Sequence, residues 1–68
     1  MKHLKRLYDL ARDCRKWREE HGYTQREIAE TSGYSAQYIS MYERGMANNA
    51  LILAEYLERG YKVNGKAD

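Results

Sequence analysis

The chain has no proline, a single cysteine, and no apolar run approaching a membrane span. Each absence narrows what the protein can be. With no proline to remove a backbone donor and break a helix, punctuation falls to glycine. Cys14 has no partner for an intrachain disulfide, and a lone thiol fits a reducing compartment. Together with His3 and His21 it supplies no third ligand at a useful metal spacing. A membrane-crossing helix needs about 20 apolar residues. The N-terminal MKHLKRLYDL is charged throughout and lacks the apolar core of a signal peptide. No nucleophile has a base at readable spacing, and the carboxylates fall on separate helix faces. The expectation is a cytoplasmic protein, not an enzyme, with no metal, no cofactor and no membrane partner.

What is present is a chain of 68 residues, read as one domain over 1–68. A chain this short buries only about 60% of its unfolded surface, so its core is marginal and dimerisation is a reasonable source of added stability. The formal charge is +2, unevenly spread. Residues 1–18 hold seven cationic side chains against two anionic ones, a net of +5, and residues 19–68 hold five against eight, a net of −3. Such asymmetry fits a first helix that meets something negative, or one with a solvated basic face.

Glycines at 22, 33, 45 and 60 stand where helices end. Four helices follow. The first spans about Lys2 to His21, with an apolar stripe at Leu4, Leu7, Ala11, Cys14 and Trp17 or Arg18. Its first two turns, carrying Leu4, Leu7 and Tyr8, extend beyond the core and need a partner, such as the same helix of another subunit. The second opens at Thr24, whose T-x-x-E pattern with Glu27 is a capping box, and runs to about Ser32. The third is capped by Ser35 and runs to about Arg44, with Ile39 and Tyr42 inward and Ala36, Gln37, Ser40, Met41 and Arg44 on the outer arc. The fourth begins after Asn48 or Asn49, with Leu53, Ala54 and Leu57 on its inner face and Ala50, Leu51 and Tyr56 close by. Residues 61–68 form a tail in which Tyr61-Lys62-Val63 reads as a short strand able to pair with its twin.

The centre of this pattern is Gln25 to Arg44, QREIAETSGYSAQYISMYER. Small Ala29 lies four positions after Gln25, Gly33 four later, and Ile39 six after that. This is the spacing two helices need to cross closely through a tight turn. A pair of that kind can set its second helix in the DNA major groove.

The segment GYTQREIAETSGYSAQYISMYERG resembles the helix-turn-helix of the phage Cro and lambda-repressor-like family of transcription regulators. Gln25, Ala29, Gly33, Ile39, Glu43 and Gly45 match its motif positions. The I-S-x-x-E-x-G run at Ile39–Gly45 is the most specific part, and Leu53-Ala54 with Leu57 match its L-A-x-x-L. The resemblance implies an all-α, four-helix DNA-binding domain, here with an extended first helix. It implies phosphate contacts from Gln25 and Thr24, base-edge contacts from Ser35, Ala36, Gln37, Ser40 and Met41, a backbone contact from Arg44, and a structural role for Glu43.

From the residues themselves, Gln37 is the one bidentate reader on the outer arc, suited to adenine N6 and N7. Ala36 and Met41 are suited to a thymine methyl. Arg26 is a phosphate candidate. The Tyr38 hydroxyl either reaches a phosphate or its ring is simply half-buried. Arg15 and Lys16 are further candidates for the flanking backbone. Tyr34, Tyr42, Trp17 and Cys14 read as core.

The expected function is therefore a sequence-specific regulator of Cro or repressor type, phage or mobile-element encoded, that binds double-stranded DNA as a homodimer. The alternative is a protein-binding module on the same fold, an antirepressor or host-takeover inhibitor that docks through helix one.

Overall fold

The computed structural model describes residues 7–63, with the side chains of Leu7 and Tyr8 excepted. Four helices and no strand are present among these residues: α1 (Leu7–Glu20), α2 (Gln25–Ser32), α3 (Ala36–Glu43) and α4 (Ala50–Glu58). The expected start of the first helix at Lys2, and the partner surface built on Leu4, Leu7 and Tyr8, fall outside the described residues or side chains.

Local chemistry sets the ends of α2 and α3. Thr24 Oγ1 accepts from Glu27 N at 3.0 Å, and Glu27 Oε1 accepts from Thr24 N at 2.8 Å. Two donors that α2 leaves without an internal partner are thereby satisfied. At the other end, Gly33 closes the helix at φ +86°, donating its N–H to Ala29 O at 3.0 Å. Only glycine takes this left-handed turn without a Cβ penalty. Ser35 then starts α3, its Oγ accepting from Tyr38 N at 3.0 Å. Asn49 Oδ1 caps α4 in the same way, accepting from Leu51 N and Ile52 N.

The helices enclose one core. α3 packs between α1 and α2, and α4 closes the far side against both α1 and α2. Ile28, Ile39, Ile52, Cys14 and Tyr56 are fully buried, with Ala11, Ala29, Tyr42 and Tyr61 nearly so. Each isoleucine contributes about 1.5–3 kcal/mol by leaving water. Ala29, expected as the small residue at the crossing of α2 and α3, is buried in this core. Tyr42 stacks on Tyr56 at 6.2 Å between centroids, and Trp17 meets Tyr56 and Tyr61 edge-on. Arg59 ties α4 to α2: it pairs with Glu55 at 2.9 Å, donates to Thr31 Oγ1 at 3.0 Å and lies over the Tyr23 ring.

Two expectations need correction. The inner face of α4 is Ile52 and Tyr56, not Leu53, Ala54 and Leu57. Leu53 and Ala54 are half-buried, whereas Leu57 is 43% and Leu51 67% exposed. The cause is composition: ALILAEYLE is apolar around most of its circumference, so periodicity cannot select the buried side. Second, Tyr61-Lys62-Val63 is not a strand. Tyr61 folds back as a plug, 5% exposed, against Trp17. Aromatic burial outweighs the alternating pattern there.

Candidate nucleic-acid interface

α3 divides its residues cleanly. Ile39, Tyr42 and Glu43 are buried, which points the opposite arc outward. Ser35, Ala36, Gln37 and Arg44 are exposed, and Ser40 and Met41 are half-buried. Of the five residues expected to face bases, Ser35, Ala36 and Gln37 are thus open to solvent, while Ser40 and Met41 keep only part of their surface open. The Ser35 hydroxyl oxygen is engaged by Tyr38 N, while its own proton remains available to donate. Tyr34 and Tyr38, both half-buried, stack at 5.1 Å beside the start of α3, so Tyr34 sits at the margin of the core.

The expected phosphate contacts flank this surface. Thr24 is exposed at the start of α2 with its oxygen committed to the capping box. Arg26 is exposed and only loosely paired with Glu30, at 3.6 Å. Arg44 caps α3, its Nε donating to Ser40 O at 3.3 Å.

Gln25 is placed more firmly. Its Nε2 donates to Glu43 Oε1 at 3.1 Å, which fixes the amide beside the end of α3. Glu43 is itself 1% exposed and lies at the centre of a polar network. Arg18 Nε donates to Oε2 at 2.7 Å and Arg18 Nη2 to Oε1 at 3.0 Å. The Tyr56 hydroxyl donates to Oε2. Arg18 Nη1 turns to Tyr23 O at 2.8 Å. The hydrogen bond to Glu43 holds the Arg18 guanidinium above its ordinary range. Burial pushes the Tyr56 phenol far up, and its bond to Glu43 adds to the effect. The result is a satisfied buried ion pair that pins α1, the start of α2, α3 and α4 together.

Sequence reasoning places Arg18 on the apolar stripe of helix one as an alternative to Trp17 and assigns it no partner. A signal for that partner exists. A cation four residues after Cys14, on the buried stripe, requires a buried anion, and Glu43 directly follows inward-facing Tyr42.

Cys14 is fully buried, as expected. Burial raises its thiol to about 12, offset in part by the bond it receives from Tyr42. Among the described residues no group of three or more His, Cys, Asp or Glu side chains is placed to hold a metal, and no helix is long and apolar enough to cross a membrane.

Comparison with known proteins fits this geometry. A family model described as helix-turn-helix matches residues 15–60, more than half of the chain. No curated protein and no solved structure gives a significant match.

Proposed function

The chain belongs to the Cro/lambda-repressor-like helix-turn-helix family, whose domains are DNA-binding and regulatory, and from that premise we propose that it regulates transcription by binding a specific double-stranded site. α3 enters the major groove. Ser35, Ala36, Gln37, Ser40 and Met41 meet base edges. Gln37 pairs with an adenine, and the methyl-bearing Ala36 and Met41 suit thymine. Thr24, Gln25, Arg26, Tyr38 and Arg44 contact phosphates, setting register rather than sequence.

The observation that carries this reading is the sidedness of α3. Ile39, Tyr42 and Glu43 anchor one face in the core while Gln37 and its neighbours project from the other. A helix held this rigidly presents its polar readers at low entropic cost. The Gln25–Glu43 bond supports the phosphate role of Gln25 by fixing its amide next to that face.

The active species on DNA is a dimer. One module of this size makes a small contact, and two α3 helices placed one helical turn apart, about 34 Å, read a near-palindrome. The test is selection from a random duplex library followed by titration at fixed salt. The expected result is an enriched motif with two-fold symmetry. A library that stays random, with the same affinity for every duplex, would exclude sequence-specific binding, and no duplex binding at all would favour a protein partner.

A further inference from the structure

α4 buries one side and leaves the other side apolar. Ile52 and Tyr56 hold it to the core. On the opposite arc Ala50, Leu51 and Leu57 are exposed, with Ala54 half-buried among them. Residues three and four apart are neighbours on a helix surface, so these side chains form one continuous strip. The acidic residues of α4 leave it nearly clear. Glu55 is turned aside to Arg59 and Thr31, and only Glu58 borders the strip. An exposed apolar strip rimmed by a charge marks a contact surface.

The strip is complementary to itself. Ala54 stands at its middle, with Leu51 three positions before and Leu57 three after, and with Ala50 four before and Glu58 four after. Two such helices laid antiparallel, Ala54 against its twin, bring Leu51 onto the partner subunit's Leu57 at both ends. That reciprocal contact is what a two-fold axis demands. A small side chain at the axis lets the helices approach to about 8–10 Å. Charge agrees with the direction. Glu58 is exposed and has no cationic partner among the described residues. It sits at the C-terminal end of α4, where the helix dipole disfavours an anion. The first turn of α4 carries no acid. Antiparallel pairing sets Glu58 beside the partner subunit's Ala50, at the positive end of that helix, whereas parallel pairing would set two carboxylates together.

We propose that α4 is the surface through which two copies of this chain join, antiparallel about Ala54, in the absence of DNA. No residue proposed to meet DNA belongs to the strip, so the pairing leaves the outer arc of α3 open. The helix is only about 13 Å long, so the contact belongs with the small, weak interfaces and separates on dilution. Unfolding of the dilute chain therefore reads the single subunit.

The experiment measures the mass of the full chain without DNA, by sedimentation equilibrium over a series of concentrations. Mass is expected to rise from one chain toward two. Leu51→Glu and Leu57→Lys are chosen because an acid in the first turn and a base in the last turn both suit the helix dipole, so neither is expected to lower the melting temperature of the dilute protein. Each variant alone is expected to stay at one-chain mass. Mixed in equal amounts, the two are expected to regain two-chain mass, because the new glutamate of one meets the new lysine of the other while the remaining leucines still touch. One-chain mass for the wild type at every concentration overturns the pairing. So does a two-chain mass that both variants keep, which assigns the dimer to another face. A mixture that stays at one-chain mass overturns the antiparallel register, and a mass that rises only when a different protein is added gives the strip to that protein instead. The outcome is separable from the duplex selection. A one-chain protein that still enriches a motif removes the pairing and leaves the α3 reading. A two-chain protein that enriches none keeps the pairing and removes the α3 reading.

Discussion

Arg18 and Glu43, 25 positions apart in the chain, form a two-pronged ion pair inside the protein, with the shorter contact at 2.7 Å. The pair joins the last turn of α1 to the last residue of α3. Because Gln25 hangs from the same carboxylate, the pair also orients the start of α2. Its energetic consequence is asymmetric. Two well-packed apolar residues can replace a buried pair at little cost, but removing one partner strands the other charge.

Arg18→Met or Glu43→Gln is accordingly expected to destabilise the fold by about 3–5 kcal/mol. That is a large share of the stability of a domain this small, so either single variant is expected to unfold at a much lower urea concentration than wild type. Arg18→Met/Glu43→Leu is expected to be more stable than either single variant. Urea unfolding followed by circular dichroism measures all three. A double variant whose destabilisation equals the sum of the two single costs would show that the pair is not the organising contact.

Gly33 gives a second, cleaner test, because backbone and sterics separate there. A Cβ built on Gly33 has nothing within 4 Å, yet the residue sits at φ +86°. Gly33→Ala is expected to cost about 1–2 kcal/mol through the left-handed backbone alone. Gly33→Asn should cost less, since asparagine tolerates that region. Thermal melts of the two variants decide the order. Equal losses would point to crowding at the turn instead.

The contrast between α3 and α4 explains how much of the molecule is legible in its residues. In α3, Gln37 and Ser40 interleave with Ile39 and Tyr42, so much of its sidedness is visible in the sequence itself, although Glu43 joins the buried face. The caps at Thr24, Ser35 and Asn49 are equally readable, because each is a local side-chain-to-backbone bond. α4 offers no such contrast. Its Ile52 is fully buried and its Leu51 is 67% exposed, a choice made by the neighbouring helices. The Arg18–Glu43 pair is only partly legible for a related reason: it is assembled from segments distant in sequence, and charge counting locates cations without their counterions.

The corrected face of α4 has its own test. Ile52→Ala is expected to cost about 2–5 kcal/mol, because it opens a cavity in a filled core. Leu51→Ala and Leu57→Ala, at exposed positions, are expected to stay within about 0.5 kcal/mol of wild type. Denaturant midpoints distinguish these outcomes. A Leu57→Ala variant as damaged as Ile52→Ala would restore the face read from L-A-x-x-L.

The buried thiol and phenols set an alkaline limit. Burial raises Cys14 from 9.0 to about 12 and Tyr61 from 10.0 to about 12, and Tyr42 and Tyr56 move in the same direction. In each case the folded protein holds the neutral form more tightly than the unfolded chain does. Their contribution is therefore complete below about pH 9 and drains away as pH rises from 9 toward 12. Melting temperature is expected to fall steadily across that window. Cys14→Ser should flatten the early part of the fall, and the native thiol should resist a thiol-specific reagent at about pH 8, below its unfolded value. Rapid labelling of the folded protein would mean that Cys14 is reached without unfolding.

The base-reading role proposed for Gln37 is separable from stability because the side chain is exposed and has no packing to lose. Gln37→Ala is expected to leave the melting temperature unchanged while reducing discrimination at one base position by about 1–3 kcal/mol. That is roughly a 5- to 150-fold loss of preference at 25 °C. Gln25→Ala should act differently. It removes a phosphate contact and its bond to Glu43, so affinity drops about equally for every duplex while the preferred sequence is kept. Competition titrations with duplexes altered one base pair at a time read both effects. If Gln37→Ala weakens all duplexes alike, its amide meets the backbone, and the sequence preference must come from Ser35, Ala36, Ser40 and Met41.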